Sequence, residues 1–173
     1  ALEDYFDRAP ELEQALVKKN KTSLLDELKR TDMSSGAIAY VRQHDALGLG
    51  HAVWCARRLI GDEPFAVLLP DDVISADRGC LRQMVDAYAE KGGTMVAAME
   101  VPHEKTSSYG ILDVKEDMGS MVSVRNKVEN PPVEEARSNL AVIGRNIDSP
   151  DVFTHLSAGD KGAGGEIQLT DAI

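Results

Sequence analysis

The chain has 173 residues, of which 43% are hydrophobic and 28% charged, and it carries a net charge of −10. That length suffices for one domain with a real core, and the acidic balance argues against a nucleic-acid duplex or an anionic membrane as the main partner, while leaving room for a nucleotide in a local pocket. No apolar run approaches the roughly 18 residues of a membrane span, and nothing at the start reads as a signal peptide.

Residues 1–31 are polar and helix-rich. Pro10 suits a first helical turn, with Leu12, Leu16 and Val17 then on one face. Asn20-Lys21-Thr22 interrupts, and Thr22 or Ser23 can cap a second helix carrying Leu24, Leu25 and Leu28. The segment is amphipathic and offers no chemistry, so it reads as a peripheral helical excursion that packs on the body or on another subunit. After the loop Met33-Ser34-Ser35-Gly36, residues 37–42 are expected to form a strand, 43–50 a loop and 51–60 a helix.

Phe65-Ala66-Val67-Leu68-Leu69 is the most informative stretch. Five apolar residues in a row, ended by Pro70, predict a strand buried on both faces, as in a parallel sheet. Asp71 and Asp72 follow where that strand would leave the core. Ligands of open α/β sheets sit at the carboxyl ends of strands, and Mg²⁺ is commonly held there by one or two carboxylates plus substrate phosphates. A plain turn or helix cap is the alternative for the same pair, since Asp is a frequent turn residue.

Asp77 is a possible cap for a helix carrying Leu81, Met84, Val85 and Tyr88 and ending at Gly92-Gly93. Residues 94–101 form another continuous apolar strand. The rhythm of strand, glycine loop, helix, strand, helix, strand predicts an α/β fold of Rossmann-like type, with a mixed, mostly parallel sheet flanked by helices. Beyond it, residues 109–114, 121–128 and 140–145 read as short antiparallel strands, with a turn at Asp117-Met118-Gly119. Residues 151–156 read as a short helix and 159–165 as a loop with four glycines in seven residues; a new helix is expected from Glu166. No stop signal follows Ile173, and residues 1–3 look like a helix already under way, so a piece of a longer polypeptide is expected. Cys55 and Cys80 are expected to be buried free thiols of a reducing, cytoplasmic compartment, with a disulfide as the alternative.

Several motifs together resemble the bacterial UTP–glucose-1-phosphate uridylyltransferase family. They are Tyr40-Val41-Arg42-Gln43, Leu47-Gly48-Leu49-Gly50-His51-Ala52-Val53, Val67-Leu68-Leu69-Pro70-Asp71-Asp72, Ser108-Tyr109-Gly110, Val128-Glu129-Asn130-Pro131, the run from Ser138 to Arg145, and Gly162-Ala163-Gly164-Gly165 continuing through Glu166 and Asp171. In this order they cover nearly the whole chain. The resemblance implies that residues 1–173 are part of a single nucleotidyltransferase domain, with 1–31 a peripheral helical segment. It implies attack of glucose 1-phosphate on the α-phosphorus of UTP, giving UDP-glucose and pyrophosphate, with Mg²⁺ as cofactor and a homo-oligomer as assembly. A related thymidylyl- or adenylyltransferase, or a non-catalytic sugar-nucleotide-binding module, is the alternative.

The same resemblance implies site residues. Asp71 would be the catalytic, metal-binding carboxylate and Asp72 a supporting or turn residue. Gln43 would read the uracil edge, for which an amide offers both donor and acceptor, and Gly48 would let backbone approach the nucleotide. Glu129 would hold glucose hydroxyls, with Gly110 and Gly144 giving close approach beside it. Glu166 and Asp171 would support the sugar loop, and His51 is a helix-start residue rather than a base. Two positions depart from the family pattern. Asn130 stands where a phosphate-neutralising lysine is expected, a loss of charge that can cost roughly 3 kcal/mol of barrier. Asn146 stands where a tyrosine is usual. The family's Gly-x-Gly-Thr-Arg triphosphate loop and its second metal carboxylate are not among these residues, so the isolated chain is expected to be inactive.

Overall fold

The computed structural model describes residues 2–157, 165–169 and 172. The chain divides into two units, Ala1–His44 and Asp45–Ile173. In the first, α1 spans Leu2–Phe6, α2 Pro10–Lys18 and α3 Thr22–Lys29. Pro10 opens α2, where its missing N–H costs nothing. The break before α3 turns on Asn20 at φ 52°, a left-handed conformation that asparagine tolerates. Thr22 begins α3 rather than capping it; Lys21 holds the cap position, with no side-chain bond to the helix. Residues 37–42 are not a strand. β-like residues become a strand only against a partner, and no described strand pairs with them; Tyr40 and Val41 are exposed.

In the second unit the helix expected over 51–60 is two pieces, α4 over Leu49–Cys55 and α5 over Arg57–Ile60. Then come β1 (Phe65–Leu68), α6 (Cys80–Lys91), β2 (Met95–Glu100), β3 (Gly110–Asp117), β4 (Val122–Glu129), β5 (Leu140–Asp148) and α7 (Val152–Ser157). Gly92 ends α6 at φ 65°, as its sequence foretold. Asp77 does not cap α6; Gly79 occupies that position.

The expected α/β layering, helices against one sheet, is present, but the strand directions need correction. The strand order is β1-β5-β3-β4, with β2 also on β5, and each of these pairings is antiparallel. Ile147 of β5 is registered against both Ala66 and Met95, so β1 and β2 lie on opposite edges of β5. Both run against β5 and therefore along each other. The β1-α6-β2 crossover thus joins two strands of like direction, as the sequence rhythm implies. They are not neighbours because β5, arriving about 40 residues later in the chain, inserts between them. A mostly parallel ladder is replaced by an antiparallel one among the described strands.

A second correction concerns β1. It alternates rather than being buried on both faces: Phe65 and Val67 are half-buried, Ala66 and Leu68 exposed. Phe65 stacks on Phe153 of α7, with ring centroids 5.0 Å apart. Val152, Leu156 and Leu169 form a buried cluster with Val53, Trp54, Phe65, Val67 and Ile167 around it. A second cluster of Val101, Ile111 and Ala141 closes the other side of β5. Cys55 and Cys80 are free and only half-buried. No helix is long and apolar enough to cross a membrane among the described residues.

Candidate functional site

The turn after β1 is tied to β5 by a set of hydrogen bonds spanning more than 70 residues of sequence. Antiparallel pairing runs one step past β1: the Leu69 N–H donates to the Gly144 carbonyl at 2.9 Å. The Gly144 N–H donates to Asp72 Oδ2 at 2.7 Å. Arg145 then sends Nη1 to the carbonyls of Leu69 (2.8 Å) and Gly144 (2.6 Å), and Nη2 to the carbonyl of Asp72. Gly144 is required here. A Cβ on it would lie 2.7 Å from Leu69 Cβ and 2.8 Å from Asp72 Oδ2. Its missing side chain makes room for the strand-end turn, which is a packing role before any contact with a sugar.

Asp71 lies between these ties. Its side chain is exposed, and no hydrogen bond or ion pair engages its carboxylate among the described residues. Asp72, by contrast, is spent on Gly144. The doublet read in the sequence therefore divides into one free carboxylate and one structural carboxylate.

Gly110 opens β3 directly opposite Glu129, the last residue of β4. A Cβ at Gly110 would fall 2.8 Å from Glu129 Oε2 and 3.2 Å from Lys127 Cδ, so the glycine allows both side chains to lie across it. Lys127 pairs with Glu129 Oε1. Asn130 continues the ladder by donating its N–H to the Tyr109 carbonyl at 3.0 Å, and sits at φ 45°, where asparagine is among the few tolerant residues. The cation beside Glu129 is thus Lys127, a residue the sequence reading did not single out.

Strand register brings these groups near one another along one edge of β5. Ile111 is registered against Ala141, so Gly110 falls level with Val142, two residues from Gly144. With strands about 4.8 Å apart and about 3.4 Å of rise per residue, Gly144 and Glu129 are separated by about 12 Å across β5, β3 and β4. β1 ends opposite Arg145 and β2 takes the other edge of β5 at Ala141, so β3 begins on the edge that β1 leaves, and Gly110, Glu129 and Asn130 lie next along the sheet from the turn of Asp71, Asp72 and Gly144.

Gly48 also belongs to the second unit. It caps α4 at φ 103°, and a Cβ there would meet the Ile167 carbonyl at 2.7 Å and Glu166 Cβ at 2.9 Å. Two backbone bonds stitch this loop to the chain's far end, Ile167 N–H to Leu47 O at 2.8 Å and Gly50 N–H to Ile167 O at 2.9 Å. The helix expected from Glu166 is accordingly absent among the described residues 165–169; Ile167 spends its backbone on the glycine loop instead. Asp171 and the glycines at 159, 162 and 164 lie outside the described residues. His51 is in α4, stacked on Trp54 at 6.0 Å with Nε2 3.8 Å from Cys55 Sγ. Gln43 lies in the first unit.

The residues present fit Mg²⁺ in a restricted sense. No group of three or more His, Cys, Asp or Glu converges among the described residues, which does not suit a closed protein cage. One free carboxylate at a strand end suits a hard cation that keeps its water and takes its other ligands from phosphates. Sequence reasoning missed Arg145 and Asp148. The signal for both was present: a cation and an anion within the mostly apolar run of β5. Asp148 is 0% exposed, and neither carboxylate oxygen has a hydrogen-bond partner among the described residues. Burial pushes its pKa up from 3.8 to about 6.

Comparison with known proteins adds independent findings. A family model described as Nucleotidyl transferase matches residues 9–173. The UTP–glucose-1-phosphate uridylyltransferase of Bacillus subtilis (strain 168) is 49% identical over 173 residues, covering 100% of this chain and 59% of the relative. The protein of that name from Komagataeibacter xylinus is 48% identical, with 100% and 61% covered. The UDP-glucose pyrophosphorylase of Acinetobacter baumannii superposes with a TM-score of 0.87 at 36% identity, covering 99% of this chain and 60% of that one. A UDP-glucose pyrophosphorylase crystallised with UDP-glucose gives 0.79 at 40%, with 99% and 62% covered. The chain spans about three fifths of the length of the curated relatives it matches.

Proposed function

The chain belongs to the nucleotidyl transferase family, and from that premise we propose that it is part of an enzyme making UDP-glucose and pyrophosphate from UTP and glucose 1-phosphate. The observation that carries the reading is the junction just described, where β1 ends and β3 begins along β5. Gly144, which holds the turn that carries the free carboxylate, lies about 12 Å from Glu129, the carboxylate laid across a glycine, a spacing that suits a cation-bound phosphate chain on one side and a hexose on the other. The strong resemblance to the uridylyltransferases supports the choice of base and sugar.

On this reading the chain forms part of one nucleotidyltransferase domain, with residues 1–31 as a peripheral helical segment. Gln43 reads the uracil edge and Gly48 lets backbone approach the nucleotide. Asp71 holds Mg²⁺, which when bound neutralises phosphate charge. Glu129 accepts hydrogen bonds from vicinal sugar hydroxyls; a carboxylate makes charge-assisted bonds about twice as strong as neutral ones. Gly110 leaves room for the hexose above that carboxylate, and Gly144 sets the distance from the sugar side to the turn. Asn130 contributes a hydrogen bond on the phosphate side but no charge. Transfer between phosphate oxyanions asks for positioning and charge neutralisation and little covalent chemistry from the protein. The sugar phosphate is its own nucleophile, so no general base is assigned to His51. Assembly with further copies of itself and a cytoplasmic setting belong to the same proposal.

The test uses the full-length polypeptide that carries this chain. UTP, dTTP and ATP are offered with glucose 1-phosphate and Mg²⁺, and pyrophosphate release is followed. UTP should be preferred and UDP-glucose formed. Preference for dTTP or ATP would move the reading to a sister transferase. Tight UDP-glucose binding without turnover would make the protein a binding module.

A further inference from the structure

We infer that Arg145 is a positioning residue whose guanidinium fixes the course of Asp71. The inference rests on the reading above, in which Asp71 faces a divalent cation. Arg145 bonds the carbonyls of Leu69 and Asp72, the two residues that flank Pro70-Asp71. Leu69 is held a second time through its N–H, and Asp72 a second time through its carboxylate, both on Gly144. Four hydrogen bonds therefore clamp the turn on either side of a carboxylate that has none of its own among the described residues. The direction of Asp71 is set by its neighbours. Pro70 further narrows the turn by fixing its own φ.

The guanidinium is suited to this task and an ammonium is not. A planar fork reaches two carbonyls on different segments at once, whereas the lysine head is a single point on a flexible stem. No carboxylate lies within ion-pair distance of Arg145 among the described ion pairs, so its hydrogen-bonding capacity goes into backbone. Without the clamp, residues 71 and 72 would recover conformational freedom. Asp71 would then sample directions away from the cation.

The experiment compares Arg145→Gln and Arg145→Lys with the wild type in the full-length polypeptide. Mn²⁺ binding in the presence of UTP is read by electron paramagnetic resonance, beside kcat, the KM for glucose 1-phosphate and the melting temperature. In Arg145→Gln the Mn²⁺ dissociation constant should rise about tenfold and kcat fall about 100-fold, the scale of a misplacement near 1 Å. The KM for glucose 1-phosphate should stay within about twofold, because Glu129 is untouched. Arg145→Lys, keeping the charge and losing the fork, should show the same pattern in smaller degree, and carries the test if the glutamine variant does not fold. Unchanged Mn²⁺ affinity, a loss confined to melting temperature, or kcat and the KM for glucose 1-phosphate changing together would overturn the inference. A protein whose Mn²⁺ affinity in the presence of UTP falls in the variants as stated, yet whose wild type makes no UDP-glucose, would support the clamp and reject the proposed function.

Discussion

Replacing Asp148 by valine or asparagine should raise the stability of the second unit, and the gain should grow with pH. Asp148 ends β5, pairs with Phe65 of β1, is 0% exposed and has no hydrogen-bond partner for either oxygen among the described residues. Burial in low dielectric penalises the charged carboxylate, which is why its pKa rises from 3.8 to about 6. The folded state thus holds its proton more tightly than the unfolded state. Stability from this group is complete below about pH 4, declines as pH climbs from 4 to 6, and is lost above 6. A rise of about 2 pH units, at 1.36 kcal/mol per unit, corresponds to about 3 kcal/mol at neutral pH. Neither replacement ionises, so each should be free of that decline; valine also removes the buried polar group. Urea unfolding followed by the fluorescence of Trp54, the chain's one tryptophan, reports on the cluster around Val152 and Leu156 that Trp54 packs against. With a urea slope of about 2 kcal/mol per molar, the midpoint difference between variant and wild type should widen by about 1.5 M between pH 4 and pH 7. A difference of the same size at both pH values would refute the argument, since it would show that Asp148 does not titrate between them in the folded state.

Other substitutions test the site. Asp71→Asn should leave the urea midpoint unchanged, because nothing engages its carboxylate, and should weaken Mn²⁺ binding at least about tenfold by calorimetry; a stability loss beyond about 1 kcal/mol would show that Asp71 is structural. Gly144→Ala places a Cβ 2.7 Å from Leu69 Cβ and should cost about 2 kcal/mol of stability by urea unfolding, through overpacking and the strained bond to Asp72; a neutral effect would mean the turn moves freely. Asn130→Lys restores a charge on the phosphate side at a positive φ, so it should lose about 1 kcal/mol of stability by urea unfolding and raise kcat in the full-length enzyme; unchanged turnover would assign that neutralisation to Lys127 or to another group.

Much of the architecture was legible in the residues, for reasons that are local. Helices declared themselves where apolar residues recur every three to four positions, as in α2, α3 and α6. Pro10 and Gly92 mark ends because their backbone preferences act within one turn. The strand runs at Met95, Gly110, Val122 and Leu140 were readable from β-branched and apolar content between turn residues. The motifs around Asp71, Gly110 and Glu129 were readable because each is contiguous. What stayed hidden is every feature that depends on which strand lies beside which. Residues 37–42 have the composition of a strand and lack a described partner. The βαβ rhythm correctly implied that β1 and β2 run alike, yet nothing in it foretold that β5 would separate them.

By itself, then, the sequence determined the helices, the strand-forming segments, the α/β class and the carboxylates worth watching, since these follow from periodicity and side-chain chemistry acting over a few residues. Only tertiary structure decided that Asp72 is spent on Gly144 while Asp71 stays free, that Arg145 braces the turn between them, and that Asp148 is sealed away from water. Those outcomes come from groups more than 70 residues apart meeting across β5, and hydrogen bonding and desolvation depend on distance in space, which chain order does not record.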